Sequence, residues 1–308
     1  MAEGGVACMA RLAILRLVRK RLEAAGVSRV KASILGPTIF HEVKRYRVTE
    51  ARALLQPIDM VEVVEVARFR IDGGRLWREY CRWHSGPIDH RDDPRERIYC
   101  GNRVAEGQGY CREHRRSERA LYEYCMSMSG SKALEACKVL DSKTRLEYAL
   151  YMLDKGDGKP KVGVTRSFRL LERIAEQPHT VATLLHVFDS AYQARKAEML
   201  LSRDLGIATE KGARKARYTA DPGRALARIR YVAEKAAKLL GIRWEESFFR
   251  VDPPELMKTA KQLEQLKDTI EVDVKAYWGG FLVVNAENLG ILSVKDQRLL
   301  HKDGSSLV

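Results

Sequence analysis

The chain has 308 residues, enough for two or three modest domains with real cores. It carries 55 Lys and Arg against 41 Asp and Glu, a net charge of +14, with a pI near 9.5. The excess points to a polyanionic partner, nucleic acid (DNA or RNA) first, although 31% charged residues also suits a thermophile surface. No apolar run approaches the ~20 residues of a membrane span. Arg11, Arg16, Arg19 and Lys20 interrupt the N-terminal apolar stretch, so it lacks a signal-peptide core. The expectation is a soluble cytoplasmic protein with no membrane partner. In that compartment the six cysteines, several grouped with His between residues 81 and 137, point to metal rather than disulfides.

Residues 10–25 read as an amphipathic helix stopped by Gly26, with Leu12, Leu15, Val18 and Leu22 at helical spacing. Strand-like runs follow at 31–35 and 38–43. Thr49 stands where it can cap a helix through Leu55 that Pro57 ends. Residues 61–71 alternate apolar and polar, and Gly73-Gly74 reads as a hairpin turn into 75–80. This region, 1–78, shows no catalytic cluster and reads as scaffold or partner surface.

Over 79–140 the composition changes. Cys81-x2-His84 comes first, then Cys100-Gly101 and Cys111-x2-His114. Two ligands on a tight turn span one edge of a tetrahedron and a second element closes it, which is the pattern of a structural zinc site with four protein ligands. Cys100, Cys111 and His114 are three of them. The fourth is Cys81, with His84 and then Cys125 as alternatives; free thiols that happen to cluster are the plain reading.

Residues 141–218 read as a ββαβα unit. Y-A-L-Y-M-L and K-V-G-V-T-R flank a turn in which Asp157-Gly158 supplies positive φ. A helix over about 167–176, a strand Val181–Phe188 and a helix opened by Ser190 with Gln193 follow. Glu198 lies at the edge of that helix's Ala191, Ala194, Ala197, Leu201, Leu205 side. A carboxylate there must be paired, hydrogen-bonded or metal-bound, because burying it bare costs several kcal/mol. Tyr151 on an apolar strand also reads as core, and Lys161 as a phosphate contact or a snorkelling edge residue. Residues 210–218, with Arg214, Lys215 and Arg217, form a basic loop.

Over 219–308, Asp221, Pro222 and Gly241 mark a helix by N-cap, N1 proline and C′ glycine. Arg224, Arg228, Tyr231, Lys235 and Lys238 make one basic stripe on it, opposite Ile229, Val232, Ala233, Ala236 and Leu240. Such a stripe is a solvated face or, beside the basic loop, a phosphate contact. Asp252-Pro253-Pro254 reads as the start of a helix to about Lys267. Strands then follow around turns at Gly279-Gly280 and Glu287-Asn288, before a disordered Gly304-Ser305-Ser306. The fold class expected is α+β.

The central residues resemble a known superfamily. Ala149-Leu150-Tyr151 and Lys161-Val162-Gly163 look like the paired motifs of the GIY-YIG nucleases. More closely, K-V-G-V-T-R, R-I-A-E-Q from Arg173, and Glu198 are similar to the prokaryotic family called domain of unknown function 2797. That family pairs such a segment with an upstream zinc-ribbon-like region, which C-G-N-R, Q-G-Y-C and Cys111-x2-His114 look like. The tail 280–299 is similar to its C-terminal strands, so the resemblance covers roughly residues 80–300. It implies a divalent metal, Mg or Mn, on Glu198, a tyrosine at Tyr151 that helps deprotonate water, and an arginine that steadies phosphate. Lys161 stands where the second tyrosine usually is, as in some restriction-type members. The usual arginine position is Leu171; Arg173 lies two residues later, sharing a face with Arg169. The functions to separate are a metal-dependent phosphodiesterase on DNA or RNA, a non-catalytic nucleic-acid-binding protein on the same scaffold, and a protein-interaction adaptor.

Overall fold

The computed structural model describes residues 11–32, 39–57, 64–66, 68–75, 80–105, 107–155, 158, 160–207, 221–262, 270–285, 289–293 and 298–302. It is a mixed α+β protein. Its strands are β1 (Arg11–Ala32), β2 (Ile39–Pro57), β3 (Val64–Val66), β4 (Arg68–Arg75), β5 (Tyr148–Asp154), β6 (Lys161–Arg166), β7 (Val181–Phe188), β8 (Phe248–Asp252), β9 (Lys261–Gln262), β10 (Ile270–Trp278), β11 (Phe281–Asn285), β12 (Leu289–Ser293) and β13 (Arg298–Lys302). The helices are α1 (Glu118–Ser127), α2 (Gly130–Asp141), α3 (Leu170–Ala175), α4 (Ala191–Asp204), α5 (Pro222–Leu240) and α6 (Leu256–Thr259). One sheet runs in the order β6-β5-β7-β8-β2-β1-β13-β4-β10-β11-β12-β9, with β3 on β2. Strands from either side of the expected region boundaries therefore share hydrogen bonds. Among the described residues no helix is long and apolar enough to cross a membrane.

The ββαβα order expected at the centre is present as β5, β6, α3, β7 and α4. Tyr151 pairs across the hairpin with Gly163 and Met152 with Val162, and Gly158 takes φ +88°. Every residue of β5 is buried, so both faces of the strand are covered. Period-2 alternation sends Leu150 and Met152 to one face, where they meet Leu201 of α4 and Leu226 and Ile229 of α5. Tyr151 and Leu153 point the other way, against Ile174, Phe249, Trp278 and Phe281. Each fully buried aliphatic here contributes about 2 kcal/mol over its exposed state.

The punctuated helices fall where their signals put them. Asp221 accepts from the backbone of Gly223 and Arg224, and Gly241 closes α5 in the left-handed region at φ 64°. The Ser190 hydroxyl accepts from Gln193 N. Asp141 at the end of α2 adds two more bonds to this cap, from the Ala191 and Tyr192 amides, each within 2.9 Å. Gly279 and Gly280, both at positive φ, join β10 to β11 as expected, and the turn docks on α3 through a 2.7 Å bond from Gly279 N to Ala175 O.

The N-terminal expectations are corrected. Residues 11–32 and 39–57 form two long antiparallel strands, not the helices expected at 10–25 and after Thr49. Tertiary pairing along the whole length of β1 overrides the local spacing of Leu12, Leu15, Val18 and Leu22. Gly73-Gly74 is not a turn: it lies inside β4, where the register against β13 shifts between Arg75 and Asp72, as a glycine bulge does. The helix expected from Asp252 to Lys267 is one turn long, because Ala260 turns extended and Lys261-Gln262 pairs with β12. Four sequence expectations lie outside the described residues: the basic loop with Arg214, Lys215 and Arg217, most of the Asp157 hairpin tip, the Glu287-Asn288 turn and the Gly304–Ser306 tail.

Candidate functional site

Two polar constellations sit around the ββαβα unit. The first is built on a short ribbon. Bridges Tyr80↔Arg103 and His84↔Tyr99 lay the limb of Cys81 beside the limb of Cys100, fixed by Cys81 N to Asn102 O at 2.9 Å and Cys100 N to Trp83 O at 3.1 Å. A tight turn, His114 N to Cys111 O at 3.1 Å, brings in the other two groups. The sulfurs of Cys81, Cys100 and Cys111 and the His114 ring nitrogen all lie within 4.8 Å of one another. His114 Nδ1 is 3.9 Å from Cys81 Sγ and 3.3 Å from Cys111 Sγ, close to the ~3.5 Å edge of a tetrahedron with bonds of zinc length. The cluster can hold a metal ion.

Its surroundings supply hydrogen-bond donors to all three sulfurs. Asn102 donates from its backbone to Cys100 Sγ and from its side chain to Cys111 Sγ, both at 3.5 Å, and Cys111 N donates to Cys81 Sγ at 3.3 Å. Burial opposes ionisation at Cys111, but the Asn102 side chain, the backbone amides of His114 and Glu113 and the Cys81 thiol outweigh it and lower the thiol to about 6, while burial pushes the Cys100 thiol up to about 11. Trp83 stacks on the His114 ring at 4.2 Å and fixes its orientation. Cys81, the first choice for fourth ligand, is in the cluster. His84 is turned away, accepting from Gly86 N at 3.1 Å. Cys125 is bonded to Cys137 in a disulfide, which corrects the expectation of metal rather than disulfides for this pair. The pairing joins neighbouring helices α1 and α2 and leaves no trace in the residue spacing.

The second constellation gathers the four residues expected from the central motifs. Gln177, just past α3, connects two of them side chain to side chain: its amide nitrogen donates to Tyr151 Oη at 2.7 Å and its amide oxygen accepts from Lys161 Nζ at 2.6 Å. The same amide nitrogen reaches Arg173 O at 3.0 Å. Gly163 is required beneath this line, because a Cβ there would lie 2.6 Å from Tyr151 Oη. Glu198 is 4% exposed and paired with Arg195 of its own helix, which also donates to Met128 O at 2.7 Å. Burial pushes the Glu198 carboxyl above its ordinary range, against the charges of Arg195, Lys161 and Arg173. Burial likewise raises the Tyr151 phenol. Gln177 and Arg195 were not among the expected site residues. Each was within reach of sequence reading, Gln177 as the end of R-I-A-E-Q and Arg195 as the i−3 neighbour of Glu198.

The residues expected on nucleic acid divide differently. Arg173 pairs with Glu176 at 3.0 Å, and Arg169 with Glu172 and Glu176 at 3.3 and 3.2 Å, so both arginines are committed to carboxylates of α3 and its C-cap. Arg228 leaves the α5 stripe to clamp the fully buried Asp154 with two bonds of 2.9 and 3.1 Å. A buried carboxylate needs such a partner, and Arg228 supplies it to Asp154. Arg224 stays exposed beside Asp221 at 3.5 Å, and Lys235 lies 4.4 Å over the exposed Tyr231 ring. Comparison with family models, with curated proteins and with solved structures returned no match.

Proposed function

We propose that this is a nucleic-acid-binding protein on a GIY-YIG-like scaffold, braced by a zinc knuckle at Cys81, Cys100, Cys111 and His114. One observation carries the reading: Glu198 is closed by Arg195 in a buried ion pair, with Lys161 and Arg173 adding positive charge at longer range. Arg173 is itself paired with Glu176, so the buried carboxylate is balanced by Arg195 and, at longer range, by Lys161. A divalent ion would meet a carboxylate already neutralised by Arg195 and a net positive field, so the residues as arranged do not fit Mg or Mn at Glu198. The raised Tyr151 phenol is also the opposite of what a tyrosine that takes a proton from water requires. The net charge of +14 supplies the long-range attraction. Three thiols and an imidazole are the donor set zinc prefers.

Metal-dependent phosphodiester cleavage is the second reading, favoured by the convergence of Tyr151, Lys161, Arg173 and Glu198. It requires Arg195 to release Glu198. A cytoplasmic location alongside the Cys125–Cys137 disulfide fits a hyperthermophile, whose intracellular proteins retain disulfides.

The test is a binding and cleavage assay on structured DNA and RNA with Mg²⁺ and Mn²⁺. Salt-sensitive binding without cleavage is the expected result. Cleavage lost in Glu198→Ala would establish the second reading instead. Absence of binding at low salt would leave the adaptor.

A further inference from the structure

Among the described residues, the arginines around the central unit and the ribbon are committed to carboxylates: Arg82, Arg97, Arg169, Arg173, Arg195 and Arg228 all stand in ion pairs. Arg112, Arg115 and Arg116 do not. All three are exposed, and none has an ion-pair partner among the described residues. They occupy one short double turn, with His114 N and Arg115 N on Cys111 O and Ser117 N on His114 O, each at 3.0 or 3.1 Å. Cys111 and His114 direct their side chains into the metal cluster, so the residues between and after them face outward.

Two further features add to the same patch. Lys143 Nζ donates to Arg116 O at 3.0 Å, which places a fourth positive charge beside the turn. The Ser117-capped N-terminus of α1 follows directly and contributes the positive end of its dipole. Of the acidic neighbours, Glu113 is drawn toward Asn102 at 3.1 Å and Glu118 lies in the first turn of α1, so four cations face two carboxylates.

We propose that nucleic acid docks on the outward face of the metal knuckle, with its phosphates held by Arg112, Arg115 and Arg116. The inference rests on the nucleic-acid reading above and relocates its contact surface from α5 to the knuckle. An arginine held in a salt bridge must break it before neutralising a phosphate; these three need not. Their guanidinium forks suit bidentate phosphate contacts, and the ligands at both ends of the turn hold them as one group.

The test is fluorescence anisotropy of the full chain with a short labelled DNA duplex and a short labelled RNA across a salt series. Bound metal is measured on every variant. R112Q/R115Q/R116Q should bind about tenfold or more weakly and lower the slope of log Kd against log salt by about two to three. R112K/R115K/R116K, which keeps the charges, should retain most of the slope. If the triple glutamine variant loses metal, R116Q alone, outside the ligand turn, should lower the slope by about one. Undiminished binding by R112Q/R115Q/R116Q with its metal in place, and loss instead in R224Q/K235Q/K238Q, would overturn the inference and leave the nucleic-acid reading intact. Wild type that binds neither probe at low salt would overturn that reading itself.

Discussion

Arg195 closes a buried ion pair onto Glu198 one turn away on α4, and this pair separates a binding scaffold from a metal site. Removing one member of a buried pair strands the other charge. Arg195→Gln should cost about 3 kcal/mol in urea unfolding. Glu198 has a raised folded pKa, so its ionised form is disfavoured in the fold and its favourable contribution is lost as pH rises. Taking away Arg195 raises that pKa further. The loss in Arg195→Gln should therefore grow as pH rises above the ordinary carboxylate range, and R195Q/E198Q should be less destabilised than the single variants sum to.

Tyr151 and Gly163 are bound by space rather than by charge. A methyl at Gly163 would lie 2.6 Å from Tyr151 Oη and 2.7 Å from Cζ, and Tyr151 is 1% exposed with no room to retreat. Gly163→Ala should lower stability by about 1–3 kcal/mol. Tyr151→Phe removes the nearest atom, so the double variant should recover part of that loss. A double-mutant cycle in denaturant measures the coupling.

These two relationships show what the sequence made legible. The hairpin of K-V-G and A-L-Y was readable, whereas the exact opposition of Gly163 to Tyr151 is set by the register of the folded hairpin. The capped and glycine-closed α5, the Ser190 cap and the Gly279-Gly280 turn were equally readable, because each is fixed by a local backbone requirement. The long β1–β2 hairpin was not. Its register shifts between Leu15 and Leu17, Arg21 and Leu22, and Ala24 and Gly26. A bulge moves the side-chain alternation of the strand that carries the extra residue to the other face, so no single period of two survives along the hairpin. The Arg228–Asp154 pair was hidden for a different reason: Asp154 is 74 positions away in the chain, and a stripe on one helix cannot show it.

His179 supplies a pH dependence. It is buried, its Nδ1–H donates to Gln177 O at 2.7 Å and its Nε2 accepts from Val251 N at 2.9 Å. On the other side Trp278 Nε1 donates to Val251 O at 2.7 Å, so the two rings satisfy backbone groups of β8 beyond its pairing with β7. Burial, above all, lowers the His179 pKa to about 4. Between that value and the unfolded value near 6.5 the unfolded chain binds the extra proton. Stability is full above about pH 6.5 and should fall by about 1.4 kcal/mol per pH unit on acidification toward pH 4. Unfolding at a series of pH values checks this, and His179→Gln should flatten the slope.

Metal content discriminates among the ligands. One ion per chain is expected by elemental analysis, lost in Cys100→Ser and Cys111→Ser. It should be retained in His84→Ala and in Cys125→Ser, whose side chains lie outside the cluster. Chelation should unfold the segment around residues 80–117, because ligand binding and local folding are one equilibrium.

The most direct measurement is the salt dependence of binding by the unmodified protein to DNA and RNA, with metal in place and Mg²⁺ present. The account expects binding at low salt that weakens linearly in log Kd against log salt, with a slope corresponding to several phosphates and with the nucleic acid left intact. Binding that is absent at low salt, or present but indifferent to salt, would contradict it.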